Sequence, residues 1–579
     1  MSHRIKSHTE ERSREELAST QISPRTARTL SWCFVIIIFA VPLIEGGLEL
    51  RKGMRPTVLG FFDPLTKSVG SMATPGGGGW KSPLKTILSS GYLRKYESSV
   101  EDHSVLRTRV QPAVQEWLHK RFGAGNNKIV VGKDGWLFYR SGVDYLVGPS
   151  VVDASYLWVR SKQSIDKQTN LDPAPDPRPA MDEFRQECAR RGIKLLLLPI
   201  PDKSMMQGRE LSPRLEGFSG RNVPNNRGYE RLMTEMRDSG VEVLEVWKTG
   251  SHQPNSSQRY LRRDTHWLPS YMEEVARATA QEIRKRLPDT AGDWPVMTLR
   301  RERRSSFGDL VQLLRLTPEQ QVYQEEAVDV DRVLVDGQDW QPDRQSEVLI
   351  LGDSFTNIYS QPSLGWGASA GFAEHISHAL GRPVDVIALN GAGASGTRRE
   401  LARPENRDRL LCKKIVVWQF AIRDLSAENW SLVSIPSGPA ACQKPAALES
   451  RNERPVQPGE TQASANPPVG PLTLIGKVVK TSKVPEPYSA PYSDCLTSVL
   501  ISVETVKSGR LAGKDLLVLF WAMKDNKWLP GATYAPGDRL QLELLPFKEV
   551  SDVRGVQRAD DLDDFEHIPY FAIKETLVR

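Results

Sequence analysis

Cysteine is scarce and scattered in this chain. Five residues, Cys33, Cys188, Cys412, Cys442 and Cys495, are spread over 579 positions, with no CxxC pair and no Cys/His spacing of a zinc or redox motif. A disulfide-built scaffold is excluded; a single Cys412–Cys442 bridge in an oxidising compartment stays open as the less favoured reading. Excess charge is also lacking. A formal net charge of +6 implies no nucleic-acid partner, although a basic face can still attract an acidic polymer. There is no internal repeat. At 39% apolar and 26% charged residues the chain is globular, neither disordered nor many-pass membrane, and its length predicts two or three domains.

Long apolar runs number one: LSWCFVIIIFAVPLI, Leu30 to Ile44, preceded by Arg25 and Arg28. It is short of the ~20 residues that span a bilayer, but Arg28 can snorkel to the interface. The run is apolar on all sides, lies near a terminus, and no small-x-small cleavage site follows. We expect a signal anchor over 30–45, with 1–29 a cytoplasmic tail, rather than a core helix or a cleaved signal. Arg51, Lys52 and Arg55 on the far side oppose that orientation. Residues 46–89, with the Gly-rich TPGGGGWKSP, form a connecting segment.

IVVGKDGWLFY carries a DG turn between apolar runs, the signature of a hairpin. A helix is predicted around Val110 to Arg121. From Asp182 the pattern alternates: helix to Arg191, strand IKLLLLPI, helix Tyr229 to Asp238, strand VEVLEV, helix Tyr271 to Arg286. It resumes with strand EVLIL, helix Phe372 to Leu380, strand VDVIAL, helix Thr397 to Leu401 and strand KIVVWQF. Such alternation predicts an α/β domain, residues 90–435, with a mostly parallel sheet covered on both faces. Residues 436–471, rich in Pro, Ala, Ser, Gln and Glu, read as a linker. Beyond it, 472–579 alternates short apolar runs with Pro/Gly turns, predicting a small all-β barrel or sandwich. Its Trp521 and Trp528 are candidate glycan contacts, with burial in the barrel the favoured reading.

EVLILGDSF sets Ser354 directly after a strand, where open α/β sheets bind ligands. A serine hydroxyl needs a histidine to take its proton, and that histidine needs a carboxylate to hold its tautomer. RYLRRDTHWLP supplies both: Asp264 and His266, one residue apart, share a face in extended backbone, with Trp267 pointing the other way. An isolated GDS is a common turn and an isolated histidine is more often structural; the combination in one α/β domain is what argues for a triad. A metal site of His252, Asp264 and His266 competes weakly, because no third ligand has a zinc-like spacing. The chemistry requires no cofactor.

GKDGWLFY (132–139), PIPDK (199–203), DTHW (264–267), LGDSF (351–355) and VVWQFAIRDL (416–425) together resemble the AlgJ/AlgX-like alginate O-acetyltransferases, over roughly Ser90 to Leu425. The resemblance implies an SGNH-hydrolase-like fold with Asp and His ahead of Ser in the chain, a permuted order. It further implies periplasmic O-acetylation of an exopolysaccharide beside a membrane-bound O-acyltransferase partner, with Ser354 the nucleophile, His266 the general base and Asp264 its orienting acid. LNGAGASGT resembles the second block of SGNH hydrolases, which makes Gly396 an oxyanion donor beside the Ser354 N–H. The usual Asn after the next strand is missing from Gln419 to Asp424, leaving Asn390 or Arg423 as substitutes. Trp136, Phe138 and Tyr139 are expected to pack a core or shape the cleft, and Lys203 to be a solvated or capping lysine. A carbohydrate acetyl esterase is the alternative chemistry, since water can replace the sugar acceptor. A non-catalytic polysaccharide-binding or assembly protein is the alternative class.

Overall fold

The computed structural model describes residues 23–578 apart from residues 52, 54, 65–86, 90–91, 94–95, 98–99, 101–103, 163–172, 219–222, 250–257, 288–293, 318, 437–470, 488–489, 491, 512, 551–552, 554–555, 561, 563 and 565. The linker expected over 436–471, Cys442 and His252 therefore lie almost wholly or wholly outside the described residues. Contacts divide the chain into two compact units, Met1–Trp117 and Leu118–Arg579.

The first unit is built on helix α1 (Pro24–Arg51), longer at both ends than the apolar run. At 28 residues it reaches about 42 Å, and it is long and apolar enough to cross a membrane. Trp32, Phe34, Ile36 and Phe39 lie at least 60% exposed along it, a surface that water disfavours. Its C-terminal end is tied down by carboxylates. Glu45 accepts from the Leu106 N–H (3.0 Å) and Ser104 Oγ (3.0 Å), and Glu49 from the Thr57 N–H (2.8 Å).

The second unit opens with an antiparallel hairpin, β1 (Ile129–Val131) and β2 (Leu137–Tyr139). Asp134 and Gly135 both have positive φ (50° and 76°), and the Trp136 N–H closes the turn on the Lys133 carbonyl at 2.9 Å. This is the conformation for which a DG pair is suited.

Five strands then make one sheet with parallel pairings throughout: β3 (Lys194–Ile200), β4 (Glu242–Val243), β8 (Val348–Gly352), β9 (Asp385–Ala388) and β10 (Ile415–Ala421), in the order β4-β3-β10-β8-β9. Every residue of the central β8 and β10 is buried, as expected where helices cover both faces. Helices Tyr229–Asp238 and Phe372–Leu380 have the bounds expected. The helix before β3 starts earlier, at Pro177, because Asp176 caps it and proline suits its first turn. VEVLEV does not run on as a strand. β4 is two residues long, and after Leu244 the chain turns into the short helix Val246–Thr249, leaving a short edge strand.

Between β4 and β8 lies a ribbon of β5 (Met297–Ser306), β6 (Glu326–Val335) and β7 (Gln338–Asp339) that the apolar pattern did not announce. MTLRRERRSS lacks apolar alternation because the strand is mostly exposed. Its register is set by charge: Arg301 opposes Asp331 and Arg303 opposes Asp329, paired at 2.8 and 3.2 Å.

The C-terminal region is a barrel. β11 (Leu472–Thr481), β12 (Cys495–Ser508), β13 (Asp515–Lys524), β14 (Lys527–Trp528), β15 (Arg539–Pro546), β16 (Gln557–Ala559) and β17 (Tyr570–Leu577) pair so that β12–β13 contact closes the sheet. Trp521 and Trp528 are half-buried, and the Trp528 indole donates to the Pro485 carbonyl at 3.0 Å. The barrel meets the α/β part through ion pairs: buried Arg403 pairs with Asp560, and half-buried Arg315 with Glu486 at 3.0 Å.

Candidate active site

At the end of β8 the chain passes into the short helix Ser354–Asn357, with Asp353 as its cap. One Asp353 oxygen accepts from the Phe355 N–H (2.8 Å) and from Gln419 Nε2 (2.9 Å), the other from the Ala421 N–H (3.1 Å). Gln419 Oε1 accepts in return from the Asp353 N–H (3.1 Å) and Thr356 Oγ1 (2.7 Å). The WQFA end of β10 thus clasps the GDSF turn. Gly352 is required by close approach: a Cβ there would lie 2.1 Å from Thr356 Oγ1 and 2.8 Å from Gln419 Oε1.

Asp264 and His266 do not lie in a strand. They sit in a bend whose ends, Tyr260 and Trp267, form an isolated bridge, so the extended-backbone expectation is corrected. The reason is local hydrogen bonding: Asp264 Oδ1 accepts from the His266 N–H (3.0 Å) and from its Nδ1 (2.6 Å), folding the carboxylate under the ring. His266 Nε2 then faces Ser354 Oγ at 2.8 Å. With Nδ1–H on Asp264, the lone pair on Nε2 is aimed at the serine hydroxyl. Trp267 points away, as expected, packed on Phe355 and Phe372 with ring centroids at 5.3 Å in each case. All three residues are at least 90% buried.

The second Asp264 oxygen accepts from Trp366 Nε1 (2.8 Å) and the Asp309 N–H (3.0 Å). Neither partner carries a readable signal in the sequence. Gly308, at φ 84°, lets this backbone approach: a Cβ would lie 2.4 Å from the Arg263 carbonyl and 3.1 Å from Asp264 Cβ. Burial alone would raise the Asp264 pKa; the His266 charge and these donors outweigh it and hold the carboxyl below its ordinary range. Burial disfavours His266 protonation, but Asp264 more than offsets this and raises its pKa above 6.5. Asp309, whose Oδ2 lies 4.0 Å from His266 Nδ1, is shifted upward by burial and by the Asp264 charge. Asp264, His266 and Asp309 are close enough to share a cation. Most of their lone pairs are nevertheless engaged: Asp264 holds N–H donors at both oxygens, Asp309 Oδ1 takes the Thr265 N–H at 2.7 Å, and both imidazole nitrogens are engaged. The donor set does not suit a metal ion.

Lys203 is neither solvated nor merely a helix residue. It is 2% exposed, and its ammonium donates to the carbonyls of Leu137 (2.6 Å), Arg262 (2.8 Å) and Asp264 (3.0 Å), beneath the rings of Trp136 and Phe138. Burial draws its pKa down to about 7, against the pull of Asp264 and Asp309. One side chain therefore joins GKDGWLFY, PIPDK and DTHW into a single structure. Lys203→Met removes a donor from three carbonyls, of which that of Arg262 keeps the Leu137 N–H at 3.0 Å, and is expected to cost about 3 kcal/mol, seen as a lower thermal midpoint. It should also reduce kcat on an acetyl ester about 100-fold as Asp264 shifts; an unchanged kcat would show that the clamp does not position the site.

The oxyanion candidates are engaged elsewhere. Gly396 is corrected: it lies inside helix Gly393–Ala402, and its N–H is spent on the Ala392 carbonyl at 3.2 Å. Asn390 links Asn357 (2.9 Å) and Gln361 (2.7 Å). Arg423 pairs with Asp202 at 3.0 Å and lies over the Tyr139 and Phe355 rings. Ser354, first in its helix, has one of the N–H groups that lack an intrahelical acceptor.

Residues 129–422, just over half of the chain, match the family described as SGNH hydrolase-like domain, acetyltransferase AlgX. The probable alginate O-acetylase AlgJ of Pseudomonas aeruginosa is 27% identical over 201 residues, which are 34% of this chain and 44% of that protein. The match thus spans less than half of that relative's length. Among solved structures, the O-acetyltransferase domain of Pseudomonas putida AlgJ aligns at a TM-score of 0.37 and 20% identity, over 52% of this chain and 93% of its own. Pseudomonas aeruginosa AlgX aligns at 0.36 and 16%, over 72% and 91%. With the match running from the β1 hairpin through β10, and so across the Asp264, His266 and Ser354 cluster, the chain belongs to the family of SGNH hydrolase-like AlgX acetyltransferase domains.

Proposed function

We propose that this protein is an O-acetyltransferase that moves acetyl groups through an acetyl-serine intermediate onto hydroxyls of an alginate-like exopolysaccharide. The observation that carries the reading is the hydrogen-bonded chain Ser354 Oγ, His266 Nε2, His266 Nδ1, Asp264 Oδ1, at 2.8 and 2.6 Å, inside the region matched to the acetyltransferase family. His266 removes the Ser354 proton as Oγ attacks the donor's acetyl carbonyl, and returns it to the leaving group. The acetyl ester stays on Ser354. His266 then takes the proton of a sugar hydroxyl, which attacks the ester and leaves with the acetyl, restoring the Ser354 hydroxyl. Asp264 stabilises the imidazolium at both steps, and the Ser354 N–H is positioned to donate to the oxyanion.

In this reading residues 90–435 are the catalytic domain with Asp and His preceding Ser, 436–471 a linker and 472–579 an accessory β-domain. α1 anchors the protein in the inner membrane with 1–29 cytoplasmic and the catalytic domain periplasmic, beside a membrane-bound O-acyltransferase that supplies acetyl groups. The test is a chromogenic acetyl ester with and without alginate oligosaccharide. Acetylated oligosaccharide by mass spectrometry, with turnover raised by acceptor, is expected. Hydrolysis indifferent to acceptor, with no acetylated sugar, favours the esterase instead.

A further inference from the structure

Two carboxylates near the end of α1 sit where a bilayer boundary has to fall. The apolar run Leu30 to Ile44 covers fifteen residues, a rise of about 22 Å, against the ~30 Å of a hydrocarbon core. An ionised Glu45 or Glu49 turned toward lipid would stop the span there. Neither is turned that way. One helical turn apart, both are buried and receive donors from the chain that follows. Glu45 takes the Val105 and Leu106 N–H groups and Ser104 Oγ, and Glu49 takes the Thr57 N–H and hydroxyl. Hydrogen bonds within the protein thus replace the water that a carboxylate otherwise needs.

Another side of the same turns stays apolar. Leu43, Gly47 and Leu50, at i, i+4 and i+7, are exposed, Leu50 at 62%. Extended to Leu50, the span has 21 residues and a rise of about 31 Å, which matches the hydrocarbon thickness. The segment that Glu49 holds carries more apolar surface. In the turn Thr57–Phe62, the Gly60 and Phe61 carbonyls accept from Tyr92 Oη at 2.8 and 3.0 Å, and the Phe61 ring meets Tyr96 edge-on. With the backbone so fixed, Leu59 and Phe62 remain 45% and 50% exposed. Water disfavours such a surface, whereas acyl chains that already meet α1 accept it.

We propose that the end of α1 and the Thr57–Phe62 turn form a lipid-contacting collar, in which Leu50, Leu59 and Phe62 meet phospholipid acyl chains at the membrane boundary and Glu45 and Glu49 are kept out of lipid by the segments they bind. The assignment rests on reading α1 as a membrane span, and the experiment reads the two separately. Full-length protein is reconstituted in phosphatidylcholine–phosphatidylglycerol vesicles that carry a diazirine in the acyl chain, photolysed, and mapped for lipid adducts by mass spectrometry. Adducts are expected in α1 and in the Thr57–Phe62 turn. Leu59→Ser combined with Phe62→Ser should cut the adduct yield in the turn about tenfold, since two apolar side chains no longer favour lipid. The α1 yield should stay unchanged, which verifies that the double variant is inserted. Adducts in α1 alone, or a turn yield indifferent to the two serines, overturn the collar and leave the span in place. Absence of adducts from α1 overturns the span and the collar with it.

Discussion

Ser354→Ala is expected to lower kcat/KM on a chromogenic acetyl ester by about 10⁴-fold or more, the scale on which loss of a triad nucleophile is felt. The change removes one oxygen and leaves His266 Nε2 without its 2.8 Å partner. The cost to stability should stay near 1 kcal/mol, the worth of one hydrogen bond, so folded protein can be assayed. If the protein is the proposed acetyltransferase, cells carrying the variant should make polymer with fewer acetyl groups. Activity within tenfold of the parent would mean that the nucleophile lies elsewhere, and unchanged acetylation in cells would favour a binding or assembly role.

The second large effect is on pH dependence. His266 must be neutral to accept the Ser354 proton, and Asp264 holds its pKa above the ordinary 6.5. Activity should therefore rise with pH through an inflection above 6.5 and fall away as acid protonates the imidazole. Asp264→Asn removes the charge that opposes burial, so the inflection should move down while the plateau drops by about 10⁴, because the tautomer with Nε2 free is no longer imposed. Asp309, 4.0 Å from Nδ1, remains in that variant and limits the downward shift. A profile of kcat/KM against pH for both proteins checks this. An inflection that stays in place would show that Asp264 does not set the His266 charge, and would return Asp309 to consideration.

Much of the α/β core was legible because its strands are short, continuous apolar runs separated by amphipathic helices, a pattern that survives burial on both faces. The DG hairpin was legible because two consecutive positive φ values demand such residues. The β5–β6 ribbon was not. It is mostly exposed and held by Arg/Asp pairs across strands, so its sequence resembles a charged loop. Lys203 was misread for a related reason: a lysine is normally solvated, and nothing local announces the three carbonyls, from two distant segments, that surround its ammonium.

The members of the Ser354, His266 and Asp264 hydrogen-bonded chain were legible in the sequence because the serine follows a strand and Asp264 and His266 are two positions apart, so local chemistry holds the pair together. The Trp366 and Asp309 donors that keep Asp264 ionised and the Gln419 clasp on the GDSF turn were decided only in the tertiary structure. Each joins atoms dozens of residues apart through hydrogen bonds whose direction no spacing records. The sequence by itself determined which groups can do acyl chemistry; the fold decided which lone pairs remain free to do it.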